Sequence, residues 1–246
     1  MSATARRSKS KAEYVASQLL EHIVESGAAP GSSFGTESDL LSQFDVSRPT
    51  LREGLRILES QGVVDIRPGP GGGLVTRKPS IEMLAHSLSI FLRLHDVPFA
   101  TVLRAREVIE PALAREAAQN GSEDDFATME ASIVRMRARG GDQAAFIEEN
   151  RVFHSVVARA SGNTVLEVFW TAISIVASGE HHGIKYSFGN RQHVIDAHVR
   201  ILQACRKRNG DTAAKEMAAH VGALEHLVKS RYRHLLSQTT RVTARD

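Results

Sequence analysis

The sequence lacks the features of an exported or membrane-spanning chain. It contains one cysteine, Cys205, and no apolar run close to the roughly 20 residues that cross a bilayer. The basic segment before residue 12 is rich in serine and arginine but has no apolar core of the kind found in a secretory signal. A single cysteine excludes a disulfide within the chain and fits a reducing compartment. We therefore expect a cytoplasmic protein.

The chain also lacks a strong excess of either charge. Its 31 Lys and Arg against 28 Asp and Glu give a net charge of +3, and the first 80 residues carry ten basic and nine acidic side chains. This balance is compatible with a nucleic-acid partner but does not indicate one, so any such contact must follow from the arrangement of the charges. With 42% hydrophobic and 24% charged residues, the 246-residue chain has a globular composition and enough length for two domains.

Apolar spacing and capping residues divide the chain into a small N-terminal domain and a larger helical one. Residues 1–11 are predicted to form a flexible basic arm, and residues 12–78 three helices followed by a two-stranded wing. The wing turn is predicted at residues 68–73, where four glycines and two prolines allow only a turn or loop. The predicted domain boundary is at residues 78–80.

Beyond this boundary the apolar period is helical almost throughout. Residues 79–236 are expected to form seven helices with short turns, and residues 237–246 a frayed tail. The last two helices are placed at about 191–208 and 211–236. The predicted N-caps of three earlier helices are Ser122, Asp142 and Asn163. The predicted fold class is mostly α: a winged helix-turn-helix with a small two-stranded wing, followed by an all-α antiparallel bundle.

The third predicted helix separates an apolar face from a basic one. Its leucines are spaced to face a core, and its arginines recur every four residues on another face: Arg48, Arg52 and Arg56. Such a face fits the major groove of DNA, where arginine pairs with guanine or neutralises phosphate. By itself it is equally consistent with an ordinary solvated helix face. The helix-turn-helix before it and the glycine-rich wing after it favour DNA.

The N-terminal domain resembles the DNA-binding domain of GntR-type transcription regulators. The resemblance lies in the order and spacing of residues 30–31 (PG), 36–40 (TESDL), 46–55 (VSRPTLREGL) and 58–64 (LESQGVV). By analogy with the FadR subgroup of this family, it implies DNA contacts at Thr36, Ser38, Ser47, Arg48, Thr50, Arg52 and, at the wing tip, Gly69. Several family members have a base-reading arginine at the position of Ser38, so the operator sequence stays open.

Three histidines and an asparagine lie where the helical bundle is expected to face inward. Asn150 and His154 are four residues apart on one helix, and His198 and His220 lie on apolar stripes of two others. A buried imidazole needs a hydrogen-bond partner or a metal ion, although a single such histidine is more often an ordinary core or surface residue. Three together favour a common site.

The segments around these residues resemble the FCD domain that follows the GntR head in the FadR subgroup. They are residues 149–154 (ENRVFH), 160–163 (ASGN), 196–198 (DAH) and 217–220 (MAAH). In metal-binding members an acidic residue and three histidines hold a divalent ion, zinc or nickel-like, which implies a metal site at Asn150, His154, His198 and His220. Asn150 replaces the acidic ligand, and its neutral amide is a weaker donor. The alternative is that the cluster binds the effector directly, without a metal.

Arg106 is the residue that the resemblance places in an effector cavity. The matching family position is an arginine that pairs with a carboxylate, a task suited to the two-pronged guanidinium group. The alternative interpretation is an Arg106–Glu110 ion pair on a helix surface, because the two residues are four apart. The resemblance therefore implies a small carboxylate-bearing effector.

These features together predict a ligand-responsive transcription regulator, in this family most often a repressor, and not an enzyme. It is expected to bind double-stranded DNA at a short palindromic operator, as a homodimer built mainly through the helical domain. The second hypothesis is a metal-dependent hydrolase that uses the histidine cluster. Against it, no Asp or Glu is placed by spacing as an obvious general base beside the histidines, and a winged helix would serve no purpose in such an enzyme.

Overall fold

The chain folds into two compact units, Met1–Met83 and Leu84–Asp246. The computed structural model describes residues 10–67, 73–139, 141–177, 184 and 186–238. These residues are mostly helical, with one two-stranded antiparallel sheet in the first unit. The predicted fold class, a winged helix-turn-helix followed by a helical domain, is confirmed.

The first unit contains three helices and a hairpin. They are α1 (Lys11–Glu25), α2 (Glu37–Phe44), α3 (Arg48–Ser60), β1 (Val64–Arg67) and β2 (Gly73–Thr76). Each helix begins at a side-chain cap: Ser10, Thr36 and Ser47 accept a hydrogen bond from the backbone N–H three residues further on. The inward faces form one aliphatic core, which includes Val15, Leu19, Leu40, Leu51, Leu55, Leu58, Val64 and Leu74.

The turn between α2 and α3 is short because Asp45 adopts the left-handed conformation, with φ 47° and ψ 51°. Aspartate tolerates this conformation better than most residues other than glycine. The chain reverses at this residue, and Ser47 then caps α3. Helices α2 and α3 thus form the helix-turn-helix of the first unit.

Strand β2 is hydrogen-bonded along both of its edges. On one side it pairs antiparallel with β1. On the other side it pairs with residues 31–35: the N–H of Phe34 donates to the Leu74 carbonyl at 2.7 Å, and the N–H of Leu74 donates to the Gly35 carbonyl at 3.0 Å. The backbones approach so closely that a Cβ at Gly73 would lie 2.5 Å from the Gly35 carbonyl oxygen. The hairpin is thereby joined to the segment that leads into α2.

The regular elements described in the second unit are all helices. Its helices are α4 (Ile81–Leu94), which begins at the boundary between the units, α5 (Phe99–Asn120), α6 (Glu123–Ala138), α7 (Gln143–Ala160), α8 (Thr164–Val176), α9 (Phe188–Arg206), α10 (Gly210–Arg231) and α11 (Arg233–Leu236). Helix α5 is central, because it packs against α7, α8, α9 and α10. None of the described helices is long and apolar enough to cross a membrane.

Two helix ends differ from the sequence prediction. The single helix predicted over residues 211–236 is interrupted at Tyr232, so the described part of this unit has eight helices instead of seven. Tyr232 is neither glycine nor proline, and the sequence therefore carries no stop signal there. Helix α9 begins at Phe188 after a Ser187 cap, three residues earlier than the predicted start near residue 191.

Candidate functional sites

The first candidate site is the polar surface at the starts of α2 and α3. The predicted contact residues on these helices are exposed, apart from the half-buried Thr50: Thr36, Ser38, Ser47, Arg48 and Arg52. The leucines of α3 are buried on its opposite face. The helix therefore presents its basic and hydroxyl side chains to solvent. Gly69, predicted at the wing tip, lies outside the described residues.

Arg52 is held by an ion pair that sequence spacing does not indicate. Its Nε and Nη2 donate to the two carboxylate oxygens of Glu37 in α2, at 3.0 and 3.1 Å. The hydrogen bonds from Arg52 lower the pKa of Glu37, and the same bonds raise the pKa of Arg52. Because both side chains are accessible to water, the pair is screened, and a DNA phosphate or base can compete for the guanidinium.

The second candidate site is a cluster of three histidines from three helices. His154 lies on α7, His198 on α9 and His220 on α10. Nε2 of His220 is 3.0 Å from Nε2 of His154 and 3.2 Å from Nε2 of His198. His154 and His198 are buried, and His220 is half-buried. The ring of His198 is stacked on Phe153, with centroids 3.8 Å apart and planes inclined by 6°, which fixes its orientation.

The three histidines could hold one divalent metal ion, because a ligand atom from each lies within 4.8 Å of the others. Nitrogens that bind one ion at about 2.0–2.1 Å are separated by about 2.8–3.4 Å, from octahedral to tetrahedral geometry. The two separations here, 3.0 and 3.2 Å, lie within that range. Burial and the neighbouring His154 lower the pKa of His220 to about 3, and burial also holds the pKa of His198 well below its usual value. Both rings are therefore neutral at pH 7, which is the form that binds metals.

A buried carboxylate links the histidine cluster to Arg106. Oε2 of Glu110 lies 2.5 Å from Nδ1 of His154, and Oε1 accepts a hydrogen bond from Nε of Arg106 at 2.6 Å. Burial alone would raise the pKa of Glu110, but Arg106 and His154 outweigh burial and hold that pKa well below its usual range. The carboxylate is therefore ionised.

The structure corrects the surface interpretation of the Arg106–Glu110 pair. The pair exists, but it is buried within the bundle: the Arg106 side chain is 13% exposed and that of Glu110 2%. Sequence reasoning also missed Glu110 as the partner of His154, because the two residues lie on different helices and their spacing along the chain carries no signal. The only available signal is that Glu110 shares a helix face with Arg106.

The histidine cluster borders a cavity of about 650 Å³. Four of the predicted site residues line it: Arg106, Asn150, His154 and His220. His198 lies outside the cavity wall and is fully buried. Arg231 and Arg200 also line the wall, although Arg200 is paired with Glu216 at 2.7 Å and the acidic Asp196 lies there too. A cavity of this volume suits a small molecule, and its arginines favour an anion.

Both units match known protein families. A family model described as "FCD domain" matches residues 101–223, and one described as "Bacterial regulatory proteins, gntR family" matches residues 11–74. The chain is 26% identical over 230 residues to the HTH-type transcriptional repressor NanR of Cronobacter sakazakii, covering 88% of this chain and 84% of that protein. The NanR repressor of Salmonella typhimurium is 25% identical, with coverages of 88% and 83%.

A solved structure shows the same fold. The GntR protein of Streptococcus agalactiae is similar with a TM-score of 0.67 at 24% identity, covering 87% of this chain and 99% of that chain.

Proposed function

Because the chain belongs to the GntR family of bacterial regulatory proteins and carries an FCD domain, we propose that it is a repressor whose affinity for its operator changes when a small carboxylate binds in the cavity. Its family and relatives are DNA-binding transcription regulators and not enzymes. The NanR relatives carry the name of repressors, which supports repression here. DNA binding is assigned to residues 12–78, and effector binding and dimerisation to residues 79–236.

The proposed operator contacts come from the exposed starts of α2 and α3. They are Thr36, Ser38, Ser47, Arg48, Thr50 and Arg52, together with Gly69 of the wing. One winged helix reads only one half-site, which supports a homodimer on a palindromic operator. An effector that binds one arrangement of the dimer more tightly would shift the population between arrangements and so change the fit to the two half-sites.

The observation that carries the effector proposal is that Arg106 lines the same cavity as His154 and His220, two of the three histidines of the cluster. Nε of Arg106 is bound by Glu110, which leaves two terminal nitrogens for an anion. Two parallel N–H groups match the two oxygens of a carboxylate. The carboxylate of the effector would therefore bind between Arg106 and the cluster.

We further propose a divalent ion, zinc or nickel-like, held by His154, His198 and His220, with Asn150 as a weaker fourth ligand. These ligands are all neutral, so a bound ion would keep its +2 charge and attract an oxygen of the anionic effector. If the histidines served instead as direct hydrogen-bonding groups, the cavity would bind its effector without a metal.

The hydrolase hypothesis is disfavoured by the state of Glu110. This carboxylate contacts the cluster, yet it is paired on both sides and its pKa is held low. A general base works best when its pKa lies near the working pH, so Glu110 is poorly suited to activate water.

The effector proposal is tested by measuring whether a carboxylate changes the affinity of the protein for its operator. An operator is first selected from random DNA duplexes with the purified full chain. Fluorescence anisotropy then measures the affinity of the protein for this operator in the presence of sugar acids, hydroxy acids and acyl acids, and each acid is compared with its uncharged amide. We expect a carboxylate to change operator affinity and its amide not to. Arg106→Lys keeps the charge but loses the two-pronged geometry, so it should weaken the response while leaving operator binding intact. Equal effects of acid and amide would refute the carboxylate proposal.

A further inference from the structure

The Glu110 carboxylate is contacted on both of its oxygens and is almost inaccessible to solvent. Its side chain is 2% exposed. One oxygen lies 2.6 Å from Nε of Arg106, and the other lies 2.5 Å from Nδ1 of His154. A buried carboxylate loses its hydration and needs such partners to stay ionised. The two contacts therefore restrict the orientation of the Arg106 guanidinium and of the His154 ring.

The contact with Glu110 determines which nitrogen of His154 carries the proton. An ionised carboxylate only accepts hydrogen bonds, so Nδ1 of His154 has to be the protonated nitrogen. In the neutral ring Nε2 keeps its lone pair, and it lies 3.0 Å from Nε2 of His220 within the cluster. A carboxylate in this position orients a metal-binding histidine and makes it a stronger donor.

The same carboxylate compensates for a missing charge. The ligands proposed for the ion include a neutral amide, Asn150, and no carboxylate. Glu110 contacts Nδ1 of His154 at 2.5 Å, on the side of the ring away from the clustered Nε2 atoms, so its carboxylate would lie one imidazole ring away from a bound cation. Its other oxygen restrains the guanidinium of Arg106, which lines the cavity.

We propose that Glu110 is a positioning residue that fixes His154 for metal binding and couples the metal site to Arg106. The inference rests on the metal site of the proposed function. Glu110 touches neither the ion nor the effector and acts through the two side chains that it holds. Loss of Glu110 should therefore weaken metal binding without removing any ligand.

The test compares Glu110→Gln with Glu149→Gln. Glutamine has the shape of glutamate, but its side-chain amide has one oxygen that accepts hydrogen bonds and one NH2 group that donates them. It can therefore accept a hydrogen bond from His154 or from Arg106, but not from both. Glu149 is the matched control because it is also buried and is paired with an arginine, Arg135, at 2.7 Å. Zinc affinity is measured by competition with a chromophoric chelator, and melting curves of the metal-free proteins establish that each variant is folded.

We expect Glu110→Gln to bind zinc about 10- to 100-fold more weakly than the wild type, with Glu149→Gln unchanged. Wild-type affinity in Glu110→Gln, or an equal loss in both variants, would overturn the role of Glu110 while leaving the metal site in place. A wild-type protein that binds no zinc would instead refute the metal site itself, and this inference with it.

A second measurement needs no variant at position 110. Long-range proton–nitrogen NMR spectra of the metal-free wild type report the tautomer of each histidine, and His154→Gln identifies the His154 signals by their loss. We expect protonated Nδ1 and bare Nε2 at His154. A proton on Nε2 would overturn the inference even if Glu110→Gln failed to fold.

Discussion

Arg48 and Arg52 are equivalent in the sequence pattern of α3, yet they have different surroundings. Arg48 is exposed in the first turn of the helix. Arg52, one turn further on, is held by both oxygens of Glu37. The ion pair orients the Arg52 guanidinium and leaves it accessible to a competing anion. Arg48 should therefore contact DNA from an exposed position, whereas Arg52 has to exchange its ion pair with Glu37 for a contact with DNA.

Replacing either arginine should weaken operator binding and leave the fold intact. For Arg48→Ala we expect a loss of roughly 5- to 150-fold, the range for one base-reading arginine. Arg52→Ala should also weaken binding, and Glu37→Gln is its control because it breaks the same ion pair and keeps the arginine. Anisotropy with the selected operator and a scrambled duplex measures each affinity. Wild-type affinity in both arginine variants would contradict the assignment of α3 to DNA.

Helices are the elements that the sequence predicts best, because a helix start depends on residues only three apart. The side chains of Thr36, Ser122, Asp142 and Asn163 each accept the backbone N–H expected of an N-cap. The break at Tyr232 lacks a comparable local signal and is visible only in the structure.

Contacts between helices are much harder to predict than the helices themselves. Spacing places Asn150 and His154 on one face of α7, since they are four residues apart. It cannot show that α5 packs against α7 and brings Glu110 to His154. The pairing of Glu37 with Arg52 has the same origin, because it joins α2 to α3. The polar residues of the candidate sites are thus predictable, whereas their hydrogen-bond partners depend on tertiary packing.

A metal ion in the cluster would cross-link α7, α9 and α10. Zinc should therefore raise the melting temperature, and a chelator should lower it, because the ion binds only the folded state. His198→Ala should lose the metal, whereas Asn150→Asp should retain it more tightly by supplying a charged ligand. His226→Ala is the control, since His226 lies on α10 and lines the same cavity outside the cluster.

Elemental analysis and melting curves before and after chelation decide this prediction. If the wild-type protein stayed metal-free in zinc, nickel and manganese yet still bound its effector, the histidines would be direct hydrogen-bonding groups.

At the scale of the whole molecule, each unit has a hydrophobic core of its own. The first core is aliphatic and small, and the second includes Phe126, Phe146 and Phe153. The helical apolar period and the alternation of the short strands are local patterns, and this is why the fold class, a winged helix-turn-helix followed by a helical domain, could be predicted from the sequence.

The full chain should be a homodimer. One head contacts one half-site, and α8 carries three exposed apolar side chains at helical spacing, Val165, Val168 and Phe169, of the kind that an interface covers. Light scattering at micromolar concentration should give twice the chain mass of 26.9 kDa. A monomeric mass both with and without operator DNA would contradict this expectation.

The pairing of β2 along both edges has a consequence for how the head opens. The amides of Leu74 and Thr76 donate to residues 31–35, on the edge away from β1. They can exchange their hydrogens with solvent only when that segment separates, and the segment runs directly into α2. These two amides should therefore exchange as slowly as those of the buried turns of α3, as one cooperative unit. DNA would then meet a surface that is already formed, with no folding step left to complete on binding.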